Sequence, residues 1–209
     1  MQQNNRPKVI GITGSIGSGK TTVCKIIEAD YPVFYADKIA HQVLEHKQVK
    51  KKLISRWGKS IIANDKLNRK AIADIVFNNQ AELGYLNSVV HPVVLKSMQE
   101  NVDKLNDKLI FFEIPLLFEA DLRQCFDLVV LIIAKKQTRI SRLQKRDHLS
   151  KNDIQNRINA QTEDEIKVKM ADLVINNDGT LVQIQEKVKQ FVNTISTYPY
   201  RDIRPFYSI

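Results

Sequence analysis

Four of the seven glycines of this 209-residue chain fall between Gly11 and Gly19, and no other sequence feature constrains the fold as strongly. The segment from Gly14 to Thr21 fits the pattern G-x-x-x-x-G-K-[ST] and follows the apolar run Val9 to Thr13. Glycine permits the positive φ angles with which a loop turns its N–H groups toward an anion. A helical pattern that begins at Lys20 directs the positive end of its dipole to the same point. The sequence therefore predicts a phosphate-binding loop between a strand and a helix.

The residue types in this loop predict a nucleoside triphosphate as its ligand. In this pattern the lysine reaches the β- and γ-phosphates, and the hydroxyl that follows it ligates Mg²⁺. We therefore predict that Lys20 binds ATP and acts in catalysis, and that Thr21 binds ATP and the magnesium ion. The other predicted ATP contacts of the loop are Gly14, Gly17, Ser18, Gly19 and Thr22.

Short apolar runs recur along the chain and are separated by helical patterns. Runs that are apolar at nearly every position are typical of strands buried on both faces of a parallel sheet. Strands that alternate with helices indicate right-handed crossovers. We therefore predict an α/β fold of the P-loop kinase kind, with a five-stranded parallel sheet flanked by helices. The runs after the first are Pro32 to Tyr35, Leu109 to Ile114, Leu128 to Ile133 and Leu173 to Ile175.

The connection between the second and third runs is longer than one crossover helix requires. It has more than seventy residues, with helical periodicity and no convincing strand. We predict a nucleotide-binding core at 1–37 and 107–209 and a helical, substrate-binding insertion at 38–106. Lys38 to Lys108 contains 13 Lys+Arg and 7 Asp+Glu, so it carries +6 of the formal net charge of +9.

A second basic segment follows the fourth run. Lys135 to Arg146 contains six basic residues and no acid, and its arginines share one helix face at i, i+3 and i+7. Guanidinium groups match phosphate oxygens and stabilise charge on a phosphoryl group in transfer. We interpret 136–165 as a lid, in which Arg139 and Arg146 bind ATP and Arg142 acts in catalysis. A solvated helix face is the alternative. Asn177, after the fifth run, either contacts the base or belongs to a plain turn.

Several function classes do not fit the sequence. No Asn-Lys dipeptide occurs, so the guanine-binding motif of a GTPase is missing. The longest apolar run, Leu128 to Ala134, has seven residues, against the ~20 of a membrane helix, and the N-terminus lacks the apolar stretch of a secretory signal. Cys24 and Cys125 are the only cysteines, which favours buried thiols in a reducing cytoplasm over a disulfide framework.

Asp37 ends the second strand region, where the carboxyl ends of parallel strands meet. A kinase needs a carboxylate that orients the acceptor hydroxyl and accepts its proton. Asp is also a favoured N-cap residue, and a helical pattern begins at Lys38. The spacing alone leaves a catalytic base and a helix cap equally open.

Taken in series, several motifs resemble the dephospho-CoA kinase family. They follow the family's order from about residue 9 to residue 192. Two positions depart from the pattern: Tyr35 stands where many members carry an acid, and Thr21 where serine is commoner. Besides the phosphate loop, the matching segments are Ala36-Asp37-Lys38-Ile39-Ala40, Leu67-Asn68-Arg69, His91-Pro92, Pro115-Leu116-Leu117-Phe118-Glu119, Arg142 to Asp147, Arg157 to Gln161 and Ala171 to Asn177.

The resemblance implies an enzyme that uses ATP and Mg²⁺ to phosphorylate the ribose 3′-hydroxyl of dephospho-CoA, giving CoA and ADP in the last step of coenzyme A biosynthesis. It implies that Asp37 is the base and that the helical insertion binds dephospho-CoA, with Arg69 and His91 as substrate contacts. His91 has the alternative role of marking a helix start before Pro92. ATP and dephospho-CoA are the expected partners, with no nucleic acid and no membrane, and the oligomeric state stays open.

Two other functions compete with this one. The first is another P-loop kinase, acting on a nucleoside monophosphate or a small alcohol. The second is an ATP-regulated nucleic-acid-binding protein, which would bind with strong salt dependence and stack bases on exposed aromatic residues. The basic cluster from Lys135 to Arg146 has no aromatic residue.

Overall fold

The structure is a computed structural model that describes residues 6–77, 79–147, 151–159 and 161–208. The chain separates into a unit of residues Met1–Tyr35 and Lys104–Ile209 and a second unit, Ala36–Asp103. The strands of the described residues are β1 (Lys8–Thr13), β2 (Val33–Tyr35), β3 (Ile62–Ala63), β4 (Lys66–Leu67), β5 (Leu109–Glu113), β6 (Leu128–Ile133) and β7 (Leu173–Asn176). The α-helices are α1 (Lys20–Ile27), α2 (Ala36–Leu44), α3 (Lys47–Trp57), α4 (Arg69–Val76), α5 (Gln80–Lys104), α6 (Lys136–Asp147), α7 (Lys151–Asn159), α8 (Asp164–Met170) and α9 (Leu181–Thr194).

The first unit is built on a parallel sheet of five strands in the order β2-β5-β1-β6-β7. In the central strand, Gly11 lies between Phe112 of β5 and Val129 of β6. The strands β1, β5 and β6 are buried along almost their whole length, as strands covered by helices on both faces are. The predicted α/β fold with a five-stranded parallel sheet is confirmed. The strands β1 and β7 end at Thr13 and Asn176 on the carboxyl edge of this sheet.

Helices α1 and α9 contribute to a core cluster with the sheet strands. The cluster includes Ile27 of α1 and Ile184 and Phe191 of α9, and burying such a side chain stabilises the fold by roughly 1.5–3 kcal/mol. Cys24 and Cys125 are free and buried. Burial raises the pKa of both thiols, that of Cys125 to about 12. Both cysteines therefore stay protonated at neutral pH and behave as small apolar side chains, as predicted.

The segment that follows α9 belongs to the core of the first unit. Phe206 is buried and contacts Phe112 and Phe126, with ring centroids 5.3 Å away in both cases. Arg201 donates two hydrogen bonds, of 2.6 and 2.9 Å, to the carboxylate of Asp172. No motif in the sequence predicts a role for this segment, because its contacts are made only in the folded chain.

The second unit contains a hairpin that the sequence analysis missed. Strands β3 and β4 pair antiparallel, so the expectation of no strand in the insertion is wrong. Asn64 and Asp65 join them with φ of 50° and 60°, the positive values that a two-residue hairpin turn needs and that Asn and Asp tolerate best after glycine. Elsewhere in this unit Trp57 donates its Nε1–H to Glu82 at 2.6 Å and contacts Tyr85 edge-on. Trp57 therefore has a packing role in this unit.

One helix boundary differs from expectation, and one helix was not expected. The second helix begins at Ala36 rather than Lys38, and α8 was not predicted, because its seven residues carry too little apolar periodicity. Residues 148–150 and 160 of the predicted lid lie outside the described residues. Among the helices that the structure describes, no segment is long and apolar enough to pass through a bilayer.

Candidate functional site

The glycine-rich loop connects the end of β1 to the start of α1. Gly17 and Gly19 have φ of 79° and 90°. A Cβ on Gly19 would lie 2.1 Å from Nδ2 of Asn177, and a Cβ on Gly17 would lie 3.0 Å from the carbonyl oxygen of Arg139. Glycine is therefore required at both positions. Gly19 is also the N-cap of α1, whose first turn has no side-chain cap and no acidic residue, so backbone N–H groups are left for an anion.

Lys20 is the first residue of α1 and is 9% exposed. Its Nζ donates a 2.7 Å hydrogen bond to the carbonyl oxygen of Gly14, which holds the ammonium group against the loop. Thr21 and Thr22 are exposed. The hydroxyl of Ser18 is buried and has no hydrogen-bond partner among the described residues. The loop thus holds a buried cation close to its backbone and presents hydroxyl groups to solvent.

A cavity of about 630 Å³ lies beside this loop. Its walls come from the loop, from α1 and α6, and from the residues between β7 and α9. None of the described residues that line it is acidic, so the cavity suits a polyanion such as a triphosphate. Lys25 and Lys145 in this lining were not predicted. Helical spacing could have found them, because Lys25 is at i+4 from Thr21 and Lys145 is at i+3 from Arg142. The cations in the lining are Lys20, Lys25, Arg142, Lys145 and Arg146.

Arg142 fastens α6 to the phosphate loop and to the end of β7. Its guanidinium donates to the carbonyl oxygen of Ser18 at 3.2 Å and to that of Asn177 at 2.8 Å. Nδ2 of Asn177 donates to the same Ser18 carbonyl at 2.8 Å. Arg139, whose side chain is 8% exposed, pairs with Asp164 at 3.0 Å. A solvated position is therefore the wrong interpretation of Arg139 and Arg142, whereas Arg146 is exposed. Contact of these three arginines with ATP stays a prediction.

Asp178 is a site residue that the sequence analysis did not single out. Its Oδ1 accepts hydrogen bonds from the backbone N–H of Lys135 at 2.8 Å and from the hydroxyl of Thr138 at 2.9 Å. Its burial opposes ionisation, but these donors outweigh it and lower the pKa of Asp178. Because Lys135 directly precedes α6, the turn after β7 anchors the start of the lid helix as well as lining the cavity with Asn177.

In the second unit, Asp37 lies in the first turn of α2 and is exposed. The helix begins one residue earlier, at Ala36, so the alternative that Asp37 is the N-cap of a helix starting at Lys38 is wrong. Within the described residues the carboxylate of Asp37 makes no hydrogen bond or ion pair. It is therefore free to accept a proton or a hydrogen bond from a substrate, and its catalytic role stays a prediction.

Arg69 and His91 are also exposed in the second unit. Arg69 is the first residue of α4, and Asn68 before it caps the helix by accepting hydrogen bonds from two backbone N–H groups. His91 lies inside α5, which continues through Pro92, so the alternative that this pair marks a helix start is wrong. Binding of substrate by Arg69 and His91 stays a prediction.

The donor groups of the site fit a magnesium ion that arrives with ATP. Mg²⁺ usually keeps several waters and binds one or two protein oxygens together with substrate phosphates. The described residues contain no cluster of three or more His, Cys, Asp or Glu side chains that could hold a metal by themselves. The exposed hydroxyl of Thr21 lines the phosphate cavity. Thr21 is therefore the residue that would hold the ion beside the phosphates.

Comparison with known proteins agrees with this geometry. The chain is 36% identical to a dephospho-CoA kinase of Fusobacterium nucleatum over 189 residues, which are 90% of this chain and 98% of the relative. A solved structure from Thermus thermophilus has a TM-score of 0.81 at 34% identity and covers 91% of this chain and 98% of its own. The dephospho-CoA kinase of Campylobacter jejuni has a TM-score of 0.70 at 29% identity, with 90% and 97% covered. The family profile of dephospho-CoA kinase matches residues 8–183. A chain with this loop, this sheet and these relatives belongs to the dephospho-CoA kinase family of phosphotransferases.

Proposed function

We propose that the chain transfers the γ-phosphoryl group of ATP to the ribose 3′-hydroxyl of dephospho-CoA, giving CoA and ADP. The proposal rests on the family and, above all, on the cavity in which the phosphate loop, α6 and Asn177 meet around five cations. The free, buried cysteines favour a reducing cytoplasm as its compartment. Neither nucleic acid nor a membrane is needed for this reaction.

On the donor side, the chain supplies positive charge where the transferring group gains negative charge. Lys20 and Arg142 stabilise the charge that spreads over the oxygens of the γ-phosphoryl group. The backbone of Gly14, Gly17 and Gly19, with Ser18 and Thr22, surrounds the phosphates, while Arg139 and Arg146 close the site from α6 and Asn177 contacts the nucleotide. Mg²⁺, when bound with ATP, neutralises charge on the β- and γ-phosphates.

On the acceptor side, residues of the second unit bind and orient dephospho-CoA. The exposed guanidinium of Arg69 suits a phosphate of the substrate diphosphate, and the exposed imidazole of His91 supplies a further polar contact. Asp37 holds the 3′-hydroxyl in line with the γ-phosphoryl group and accepts its proton. The bond from the 3′-oxygen to γ-phosphorus forms as the bond from γ-phosphorus to the β–γ bridging oxygen breaks, and that oxygen leaves on ADP.

An acceptor panel tests this function. We expect ADP release that depends on dephospho-CoA and is at least tenfold faster than with nucleoside monophosphates or small alcohols, with ³¹P NMR of the product showing a new 3′-phosphomonoester. Equal or faster ADP release with another acceptor would show that this other compound, and not dephospho-CoA, is the substrate.

Lys20→Ala should lose nearly all turnover at unchanged circular dichroism, because it removes the buried cation from the loop.

A further inference from the structure

A segment that begins near the end of the predicted lid contacts the phosphate loop. It runs from Gln161 to Lys167, into the second turn of α8. Oε1 of Gln161 accepts a 2.8 Å hydrogen bond from the backbone N–H of Ile16. Asp164 accepts a hydrogen bond from the hydroxyl of Ser15 through Oδ1. Two consecutive residues of the loop are therefore held by side chains distant from it in sequence.

The same segment also holds the lid helix. While Oδ1 of Asp164 binds Ser15, its Oδ2 lies 3.0 Å from the guanidinium of Arg139 on α6. The backbone of Arg139 is next to Gly17, where an added Cβ would lie 3.0 Å from its carbonyl oxygen. One carboxylate thus links the phosphate loop to α6.

A buried cation completes this arrangement. Lys167, one helical turn after Asp164, has a fully buried side chain, and its Nζ lies 3.0 Å from Oε1 of Glu119 and 3.5 Å from the hydroxyl of Ser15. A buried ammonium group needs such partners because leaving it unpaired is costly. The hydroxyl of Ser15 is therefore held between Asp164 and Lys167, which restricts the loop at a residue outside the lining of the cavity.

We propose that Asp164 is a positioning residue, which sets the affinity for ATP by holding Ser15 and Arg139 in place without touching the nucleotide. This inference rests on the proposed function only in taking ATP as the ligand of the loop. A loop whose N–H groups already point at the anion loses less conformational freedom on binding. When Ser15 and Arg139 are no longer held, ATP binding must also pay for ordering them. The affinity for ATP therefore falls, while the affinity for the acceptor stays unchanged.

Asp164→Asn, measured by calorimetric titration with a non-hydrolysable ATP analogue and Mg²⁺, tests this role. Asn can still accept from Ser15, but it presents an N–H group or a neutral oxygen to Arg139. We expect Kd for the analogue to rise by about tenfold, with KM for ATP rising in parallel and KM for dephospho-CoA changing by less than about twofold. Titration without acceptor separates this result from the proposed function, which fails only if the wild-type chain does not phosphorylate dephospho-CoA.

Glu165→Gln is the matched control. Glu165 is the other acid in the first turn of α8 and is exposed, and no hydrogen bond or ion pair of the described residues involves its side chain. The two variants therefore lose the same charge at the same helix end. A Kd change below about twofold in Asp164→Asn, or an equal change in Glu165→Gln, would overturn the proposal.

Ser15→Ala supplies a second measurement that does not depend on Asp164→Asn folding. It keeps the Asp164–Arg139 pair and removes only the loop side of the link. We expect Kd for the ATP analogue to rise, and we expect the double variant to be less affected than the product of the two single effects, because Ser15→Ala and Asp164→Asn interrupt the same link at its two ends. Strict multiplication of the single effects, or no effect of Ser15→Ala, would contradict the proposal.

Discussion

A single exposed carboxylate, Asp37, carries the chemical step in the proposed reaction. Its position inside the first turn of α2 gives it at most the ~0.3–1 kcal/mol that an acid near a helix N-terminus contributes to stability. A general base, by contrast, is typically worth ~10²–10⁴ in rate. These two magnitudes differ enough for one variant to decide between a structural and a catalytic role.

We predict that Asp37→Asn lowers kcat by about 10²–10⁴ and leaves ATP affinity within about twofold. Asn keeps the size of the side chain but cannot take the proton of the acceptor hydroxyl. Single-turnover transfer and nucleotide titration measure the two effects separately. Asp74→Asn, at another exposed helical aspartate of the same unit, is the control and should retain full kcat. If Asp37→Asn retains more than half of the wild-type kcat, Asp37 is not the catalytic base.

At the scale of elements, α6 combines anchored and exposed cations. Arg139 and Arg142 are tied to Asp164 and to loop carbonyls, while Lys145 and Arg146 are exposed in the lining of the cavity. A bound triphosphate adds charge-assisted hydrogen bonds to the exposed cations. Ligand binding should therefore restrict the helix most at its C-terminal end.

We predict that ATP and dephospho-CoA together slow tryptic cleavage after Lys145 and Arg146 by at least about fivefold, since local opening costs more in the closed complex. Mass spectrometry of timed digests measures each bond. Cleavage after Lys187 and Lys189 of α9 is the internal control and should change little, because these residues lie outside the cavity lining. Equal cleavage after Arg146 with and without ligands would show that α6 is static.

An ion pair between the buried Lys167 and Glu119 joins α8 to the Pro115 to Glu119 loop. Burial by itself would raise the pKa of Glu119, but hydrogen bonds from backbone N–H groups and from Lys167 outweigh it and lower the pKa below its ordinary value of 4.5. A carboxyl group whose pKa is lower in the folded state stabilises the fold above its unfolded pKa. That contribution is lost as the pH falls through the folded value.

We predict that Glu119→Gln lowers the free energy of unfolding at pH 7 by about 1–3 kcal/mol, because it leaves the ammonium group of Lys167 with a weaker partner. The difference from wild type should shrink as the pH falls from 4.5 through the lowered pKa of the folded state, where the wild-type carboxylate becomes protonated. Urea unfolding at pH 7 and at pH 3.5 measures both values, with Glu165→Gln as a control. If the difference in unfolding free energy between the variant and wild type does not change with pH, the ion pair is not its cause.

At the scale of the whole chain, Arg6 before β1 and Arg201 after α9 are both tied to the larger unit through Asp127. Arg6 makes hydrogen bonds of 2.7 and 2.8 Å to the carboxylate of Asp127, and also donates to the carbonyl oxygen of Arg201. The backbone N–H of Arg201 donates to Asp127 at 2.9 Å. One buried carboxylate therefore holds the residues before β1 against the segment that ends at Phe206.

We predict that Phe206→Ala lowers the free energy of unfolding by about 3–5 kcal/mol, the usual cost of deleting a buried phenyl ring. Tyr207 is 64% exposed, so Tyr207→Ala should change stability by less than about 0.5 kcal/mol. Urea unfolding measures both variants under the same conditions. A loss below about 1 kcal/mol in Phe206→Ala would show that the C-terminal segment is not part of the cooperative core.

Local and periodic patterns were sufficient for the phosphate loop, the five parallel strands and the arginines of α6. These signals are local in the sequence. They are glycine at positive φ, runs that are apolar at nearly every position, and arginines at i, i+3 and i+7. The family motifs added the activity, and the comparisons bear it out. The helix boundary at Ala36 and the Asn64-Asp65 hairpin were missed, because short elements carry little periodic signal.

Only the tertiary structure shows which side chains hold the phosphate loop and how the segment after α9 packs against the core. The contact of Ser15 with Asp164 spans 149 residues, and that of Arg6 with Asp127 spans 121. No local pattern specifies such partners, because a polar side chain can be satisfied by solvent until the fold buries it and leaves one geometry. The sequence by itself determined the phosphate-loop motif and where the sheet runs, whereas packing determined which charged side chains meet at Ser15.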